Sequence, residues 1–349
     1  MPENFSPEPG GGTRILYDGP MAGDPESGQA MFVPGFLVGH ATARSGVSGA
    51  TVVLCPPGSV GGVDIRGGAP GTREIALLGP LYTVSHVDAI VLTGGSAFGL
   101  AAVDGVMQAL AAQGRGLAVG RRRVPIVPSA VLFDLDPDGQ QDWPDADTGR
   151  RALAQATAGP IAEGAVGAGT GASVGKLLGA ARACQSGVGV AVRRQGSLVA
   201  GALAAVNALG EVRDEAGHVL AGVRADRAPD FLSAPELALA PDQPGASPGS
   251  ATTLVVVATN ARLDKAALGR VAIMAHDGLA RSIFPVHTPW DGDTVFAVAS
   301  GALDAPALAV GTLAADLAAD AIRRAVKAAR GRAGRPAGPE WLAGAGARP

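Results

Sequence analysis

A layered α/β or α+β domain is the fold class that this sequence predicts. Short apolar runs of strand length, rich in Val, Ile and Leu, alternate with longer stretches whose apolar residues recur at helical spacing. The 349 residues suffice for one large core or two modest domains, and 47% hydrophobic against 17% charged residues implies extensive burial. Aromatics are only 4%, beside 52 Gly and 26 Pro. The core must therefore be built from Ala, Val, Leu and Ile, with tight turns and close backbone approaches.

Residues 1–30 are polar and rich in Pro and Gly, and read as a flexible arm. They lack the basic-then-apolar order of a secretory signal. Phe32-Val33 and Ala50 to Cys55 are apolar runs, the second ended by Pro56-Pro57-Gly58. Ala89 to Leu92 is a buried-type strand that stops at Thr93-Gly94-Gly95. Ala97 to Gln113 reads as a helix with Leu100, Val103, Met107 and Leu110 on one face and Ser96 as its cap. Pro125 to Leu135 is strand-like, Asp136 to Thr148 a surface loop, and Arg150 to Ala158 a short helix. Ser186 to Val206 reads as a hairpin of Val188–Val192 and Leu198–Val206 around a basic turn, Arg193 to Gly196. Residues 222–251 form a linker with Pro229, Pro235, Pro241, Pro244 and Pro248. Beyond it come a strand from Thr252, a helix from Asp264 to Ile283 with Asp264 as N-cap, and a strand from Asp293 to Ser300. Leu313, Leu317, Ile322 and Val326 mark a last amphipathic helix, and residues 331–349 read as a flexible tail.

Composition excludes several function classes. A formal net charge of -3 makes no electrostatic case for nucleic acid or an acidic membrane surface. Arg121-Arg122-Arg123 and Arg323-Arg324 read as short solvated faces. Cys55 and Cys184 cannot form a disulfide framework or a C-x-x-C zinc pair. The five histidines show no ligand spacing, and no apolar run has the density of a membrane span. A cytoplasmic protein without metal or organic cofactor is expected.

Gly167 to Lys176 fails as a phosphate loop, because Thr170 stands where the first Gly belongs and Leu177 follows the lysine. As a dinucleotide fingerprint it follows a poor strand. Its glycines instead let the backbone approach something closely and deliver Lys176. Gly94 to Gly99 is not a nucleophile elbow, since Phe98 occupies a required glycine position. Asp291-Gly292-Asp293 puts two carboxylates at a strand entrance, either as a solvated turn or to orient an amine. Asn207 ends an apolar run as a turn residue or as an amide aimed into a site. Ser250 to Asn260 carries a Pro/Gly/Ser-rich loop into a strand that opens on two threonines. That is an ordinary strand start, or the junction of a self-cleaving precursor.

Five segments in this order resemble a family of N-terminal-nucleophile amide hydrolases: Thr93 to Leu100, Val127 to Asp134, Gly167 to Lys176, Thr252 to Asn260 and His287 to Thr294. The family comprises L-aminopeptidase/D-esterase enzymes, β-peptidyl aminopeptidases and nylon-oligomer (6-aminohexanoate oligomer) endo-hydrolases. The Thr-Thr start and the His-Thr-x-x-Asp-Gly-Asp-Thr segment are most similar to the nylon-hydrolase branch. The resemblance implies a four-layer αββα sandwich and autocatalytic cleavage between Ala251 and Thr252. Fragments 31–251 and 252–330 would form one domain and assemble as a tetramer of the cleaved pair. It implies Thr252 as nucleophile, Lys176 as the active-site lysine, Asn207 on the oxyanion side, Asp291 and Asp293 as orienting acids, and Thr253 as a supporting hydroxyl. The free α-amine of Thr252 would take the hydroxyl proton, its own affinity for protons lowered by Lys176. No cofactor is required, and the substrate is an amide: a peptide, a β-peptide or a nylon oligomer. An ornithine-acetyltransferase-like acyltransferase and a relative impaired in processing are the alternatives. Two departures stand out: Ala251 where the nylon-hydrolase branch has Asn, and Phe133 where some members have Tyr. Ser250 is a rival nucleophile.

Overall fold

The computed structural model describes residues 31–135, 143–240 and 251–344. The arm at 1–30, the stretch 136–142 of the expected loop, linker residues 241–250 with Ser250, and the end of the tail at 345–349 lie outside the described residues.

Among the described residues, ten strands make the two largest sheets, of five strands each. In chain order they are β1 (Leu37–Thr42), β2 (Gly49–Leu54), β3 (Val60–Ile65), β4 (Gly71–Arg73), β5 (Ala89–Thr93), β6 (Ser129–Val131), β7 (Val188–Gln195), β8 (Leu198–Asn207), β9 (Thr252–Ala261) and β10 (Thr294–Leu303). Among the described residues, four helices of nine residues or more accompany them: α1 (Ala101–Ala112), α2 (Ala146–Ala154), α3 (Lys265–Ser282) and α4 (Ala307–Ala328). One sheet runs β1-β2-β5-β6-β4 and the other β7-β8-β9-β10-β3. In the second, β9 pairs antiparallel with β8 and parallel with β10.

The strand period of two sorts the side chains into layers. Leu254, Val256 and Ala258 of β9 join Ile90 and Leu92 of β5 in the core between the sheets. The alternate residues Val255 and Val257 pack with Leu268 and Leu279 of α3 and Leu317 and Ile322 of α4. Val91 of β5 faces the other way, onto Val103, Val106 and Leu110 of α1. The layers are thus helices, sheet, sheet, helices: the expected αββα sandwich. Small residues let those layers close. A Cβ on Gly105 would sit 1.7 Å from the Ala146 carbonyl oxygen of α2, and one on Gly278 would sit 2.2 Å from that of Ala315 in α4.

Several boundaries differ from the sequence reading. Chain Ser96–Leu100 is a 3-10 turn leading into α1, and Ser96 caps nothing: its φ is +51° and Gly95 precedes the turn at +80°. Strand pairing in Pro125–Leu135 is confined to Ser129–Val131, since Pro125 and Pro128 lack the N–H a ladder needs. Helix α2 starts earlier than expected because Asp145 accepts from Thr148 N at 2.9 Å and caps it. The hairpin turn is Gly196-Ser197, and Arg193 lies buried in β7 against Asp316 and Asp320. Arg323 is buried too and pairs with Glu215, while Arg324 forms a fork with both oxygens of Glu163. They are therefore not a solvated face. The linker contains a helix at Ala234–Ala238 and buried Val223. The tail is built into the fold as far as 344: Trp341 is buried and donates to Asp230 O at 2.8 Å. Asp264 caps α3 as expected, accepting from Ala267 N at 2.8 Å. Among the described residues, no helix is long and apolar enough to cross a membrane.

Candidate active site

Thr252 is the first residue of β9, and its register partner on β8 is Asn207. It is buried, and the chain is continuous through Ala251. Ala251 bridges to Asp291 just ahead of β10, which brings Gly292 against the Ala251–Thr252 peptide. Gly292 N donates to Ala251 O at 3.0 Å and to Thr252 Oγ1 at 3.2 Å. The Thr252 hydroxyl in turn donates to Ala251 O. Hydroxyl, preceding carbonyl and one backbone donor thus converge on a single peptide bond.

The two carboxylates flanking Gly292 are buried and tied down. Asp293 Oδ1 accepts from Thr253 N at 2.7 Å, while Oδ2 accepts from the main-chain N of His287 at 3.0 Å and contacts its Nδ1 at 2.8 Å. Asp291 accepts from Thr288 Oγ1 at 2.5 Å, Thr288 N at 3.2 Å and Leu209 N at 3.4 Å. Burial, together with the neighbouring charge of Asp293, raises the Asp291 carboxyl above its ordinary range, and the Thr288 and Leu209 donors oppose that shift.

Lys176 arrives from the glycine-rich loop, as expected. Gly175 has φ +75°, and a Cβ there would lie 2.2 Å from the Gly222 carbonyl carbon. This backbone path carries Lys176 Nζ to Asn207 O at 2.8 Å and to Asn207 Oδ1 at 2.6 Å. Asn207 Oδ1 also accepts from Ser173 N at 3.0 Å, and its Nδ2 donates to Phe133 O at 2.7 Å. Burial pulls Lys176 down to about 7, against the raising influence of the Asp291 and Asp134 carboxylates. The repulsion expected between Lys176 and an α-amine therefore operates mainly below neutral pH.

Thr252, Lys176, Asn207, Asp291 and Asp293 are all brought to one place. Phe133 lines it through its carbonyl, half-buried, and the Thr253 hydroxyl is buried without a partner among the described residues. Sequence reasoning assigned no role to His287, Thr288 or Gly292. Their only signal was position within the segment His287 to Thr294. Asp134 was missed as well: it accepts from Gly95 N at 2.7 Å and Ser48 Oγ at 3.0 Å, and burial pushes it up to about 6.

Ala251, the point of departure from the nylon-hydrolase branch, is fully buried among Leu177, Leu209, Val223 and Ala234, with Trp290 packed alongside. Two cavities of about 520 and 530 Å³ lie elsewhere, one beside His40 and Arg151, the other beside His86 and Arg115. Neither is lined by the convergent polar groups at Thr252. Among the described residues, no group of His, Cys, Asp and Glu is placed to hold a metal ion.

The chain is similar to known proteins along most of its length. A family model described as Peptidase family S58 matches residues 31–337. An uncharacterized aminopeptidase of Mycobacterium tuberculosis is 45% identical over 344 residues, covering 90% of this chain and 97% of the relative. A 6-aminohexanoate-oligomer endohydrolase of a Kocuria species is 34% identical over 314 residues, covering 84% of each. Among solved structures, the L-aminopeptidase D-Ala-esterase/amidase of Ochrobactrum anthropi superposes with a TM-score of 0.61 at 20% identity, over 86% of this chain and 88% of that one. That structure is described as a variant of the Ntn hydrolase fold.

Proposed function

The chain belongs to peptidase family S58, and from that premise we propose that it is a self-processing amide hydrolase with Thr252 as its nucleophile. The observation that carries the reading is the donor shared by the Ala251 carbonyl and the Thr252 hydroxyl, the N–H of Gly292. A hydroxyl in contact with the carbonyl it would attack, with a donor at the oxygen that would become negative, supports attack on that bond.

In the first cut, Thr252 Oγ1 bonds to the Ala251 carbonyl carbon and the Ala251–Thr252 C–N bond breaks. The hydroxyl proton goes to the departing nitrogen, and water then hydrolyses the ester. The free α-amine left on Thr252 takes the Oγ1 proton during turnover. The substrate acyl group passes to Oγ1, its amine leaves protonated, and water regenerates the enzyme. Asn207 Nδ2 carries two hydrogens. One is given to Phe133 O, and the other serves the oxyanion. Lys176, near neutrality in its charge balance, supplies positive charge below about pH 7 and a neutral amine above it. Asp293 fixes the Thr252–Thr253 peptide through the Thr253 amide. Phe133 offers no hydroxyl, so oxyanion support falls to amide and backbone donors.

The substrate is an amide whose acyl part is aminoacyl or 6-aminohexanoyl, the two classes in the names of the relatives at 45% and 34% identity. Assembly of the cleaved fragments as a tetramer, and a cytoplasmic location, belong to the same proposal. The test is a denaturing gel with N-terminal sequencing: wild type gives a fragment beginning at Thr252, and T252A stays whole and inactive. A persistent single band for wild type, or hydrolysis by T252A, would overturn the reading.

A further inference from the structure

We propose that His287 is a positioning residue that clamps Asp293 and, through it, sets the pose of Thr252. The inference rests on the Thr252 reading above and adds a residue to it.

Asp293 is 1% exposed, and a buried carboxylate needs donors. Its Oδ1 is given to the Thr253 amide at 2.7 Å. Its Oδ2 meets two nitrogens of one residue, His287 N at 3.0 Å and Nδ1 at 2.8 Å. Both of these Oδ2 contacts come from His287. The two-point contact is possible because His287 has φ +55°, a left-handed conformation rare for a residue with a side chain. That conformation turns the main-chain N–H and the ring toward the same oxygen. Backbone strain of this kind persists where surrounding structure over-determines it, and here it does. The ring is also held from outside: His276 packs edge-on with centroids 4.8 Å apart, and His276 Nε2 lies 3.1 Å from Asp64 O. His276, in turn, rides on α3. A line of contacts thus runs from α3 through His276, His287 and Asp293 to the Thr253 amide.

The tautomer follows from the geometry. Nδ1 must carry the proton to donate to Asp293, so His287 acts here as an N–H donor from its ring. Asparagine places an N–H at the same position along its side chain and tolerates the left-handed region. Glycine tolerates that region but has no donor.

The experiment compares wild type, H287N and H287G for rate of self-cleavage and for kcat and KM on an aminoacyl p-nitroanilide, with thermal unfolding as a fold control. H287G is expected to lower the cleavage rate and kcat by about 10- to 100-fold, the usual effect of losing a hydrogen bond to a charged group. Its KM is expected to stay within about threefold of wild type, since His287 makes no substrate contact in this account. H287N is expected to recover to within about fivefold of wild type. Should H287G fail to fold, H287A replaces it, since alanine also has no side-chain donor and adds no charge beside Asp293. Equal activity of the Asn variant and its donorless counterpart, at any level, would overturn the positioning role. If wild type neither cleaves nor hydrolyses, the Thr252 reading fails first and this inference falls with it.

Discussion

Replacing Gly292 with alanine separates folding from chemistry at the proposed cut. Gly292 is not among the residues in left-handed conformation, so the backbone accepts alanine. The added Cβ would stand 2.7 Å from Thr252 Oγ1, 3.0 Å from Ala69 O and 3.4 Å from Pro70 Cα. The first distance is well inside ordinary contact, and the atom in the way is the tip of a threonine. Rotation about χ1 to another staggered well relieves this contact. It also carries the hydroxyl away from Ala251 O, to which it donates in the unsubstituted chain. A displacement of about 1 Å of a reacting atom costs about 100-fold in rate, or about 2.7 kcal/mol of barrier. G292A should therefore keep its circular dichroism spectrum while losing about 1–3 kcal/mol of unfolding free energy, the usual cost of adding a carbon to a closed site. Its self-cleavage, followed by gel densitometry after purification, should slow by about 100-fold. Cleavage of folded G292A within about threefold of wild type would refute the argument that this hydroxyl is poised by the absence of a side chain at 292.

Two further outcomes follow from burial. Lys176 is held at about 7 in the folded chain against an ordinary 10.5. Folded Lys176 then binds fewer protons than unfolded lysine between those values. By linkage, its destabilising effect is fully present below about pH 7 and fades as pH rises toward 10.5. K176M removes this contribution, so its thermal midpoint relative to wild type should be higher at pH 6 than at pH 9.5. A pH-independent difference would show that Lys176 is not shifted. Leu203 is fully buried in the core between the sheets, so L203A in a T252A background, which keeps the chain whole, should lose about 2–5 kcal/mol of stability in urea titrations. A loss under about 1 kcal/mol would mean that the two sheets are not packed as described.

The layers were legible because alternation is a property of the sequence. The order of residues along β9 is enough to put Val255 and Val257 on one side and Leu254 and Val256 on the other. Composition misled where packing depends on partners far along the chain. The Gly/Ala/Pro-rich stretch after Gly331 reads as tail, yet Trp341 finds Asp230 more than a hundred residues earlier. The five expected site residues stood out by type and place, and the resemblance, which transmits side-chain identities, assigned their roles. What it did not transmit was the main-chain work: the N–H of Gly292 on Ala251 O, those of Thr253 and His287 on Asp293, and those of Thr288 and Leu209 on Asp291. Every residue but proline has an N–H, so no residue type announces these contacts.

The same distinction bears on Ala251. Its departure from the asparagine of the nylon-hydrolase branch draws attention to the side chain before the proposed cut. In the fold, that side chain is a methyl group closed in by Leu177, Leu209, Val223 and Ala234, surroundings that offer apolar contact. An amide there would be buried beside hydrocarbon, at about 1–3 kcal/mol for each unsatisfied group. The group that matters for attack is the Ala251 carbonyl, and it is positioned by groups indifferent to the side chain: the bridge to Asp291 and the Gly292 N–H. An apolar residue at 251 therefore suits this chain, because its pocket and its backbone donors are separate devices. The pocket anchors the residue ahead of the bond, and Gly292 addresses the carbonyl.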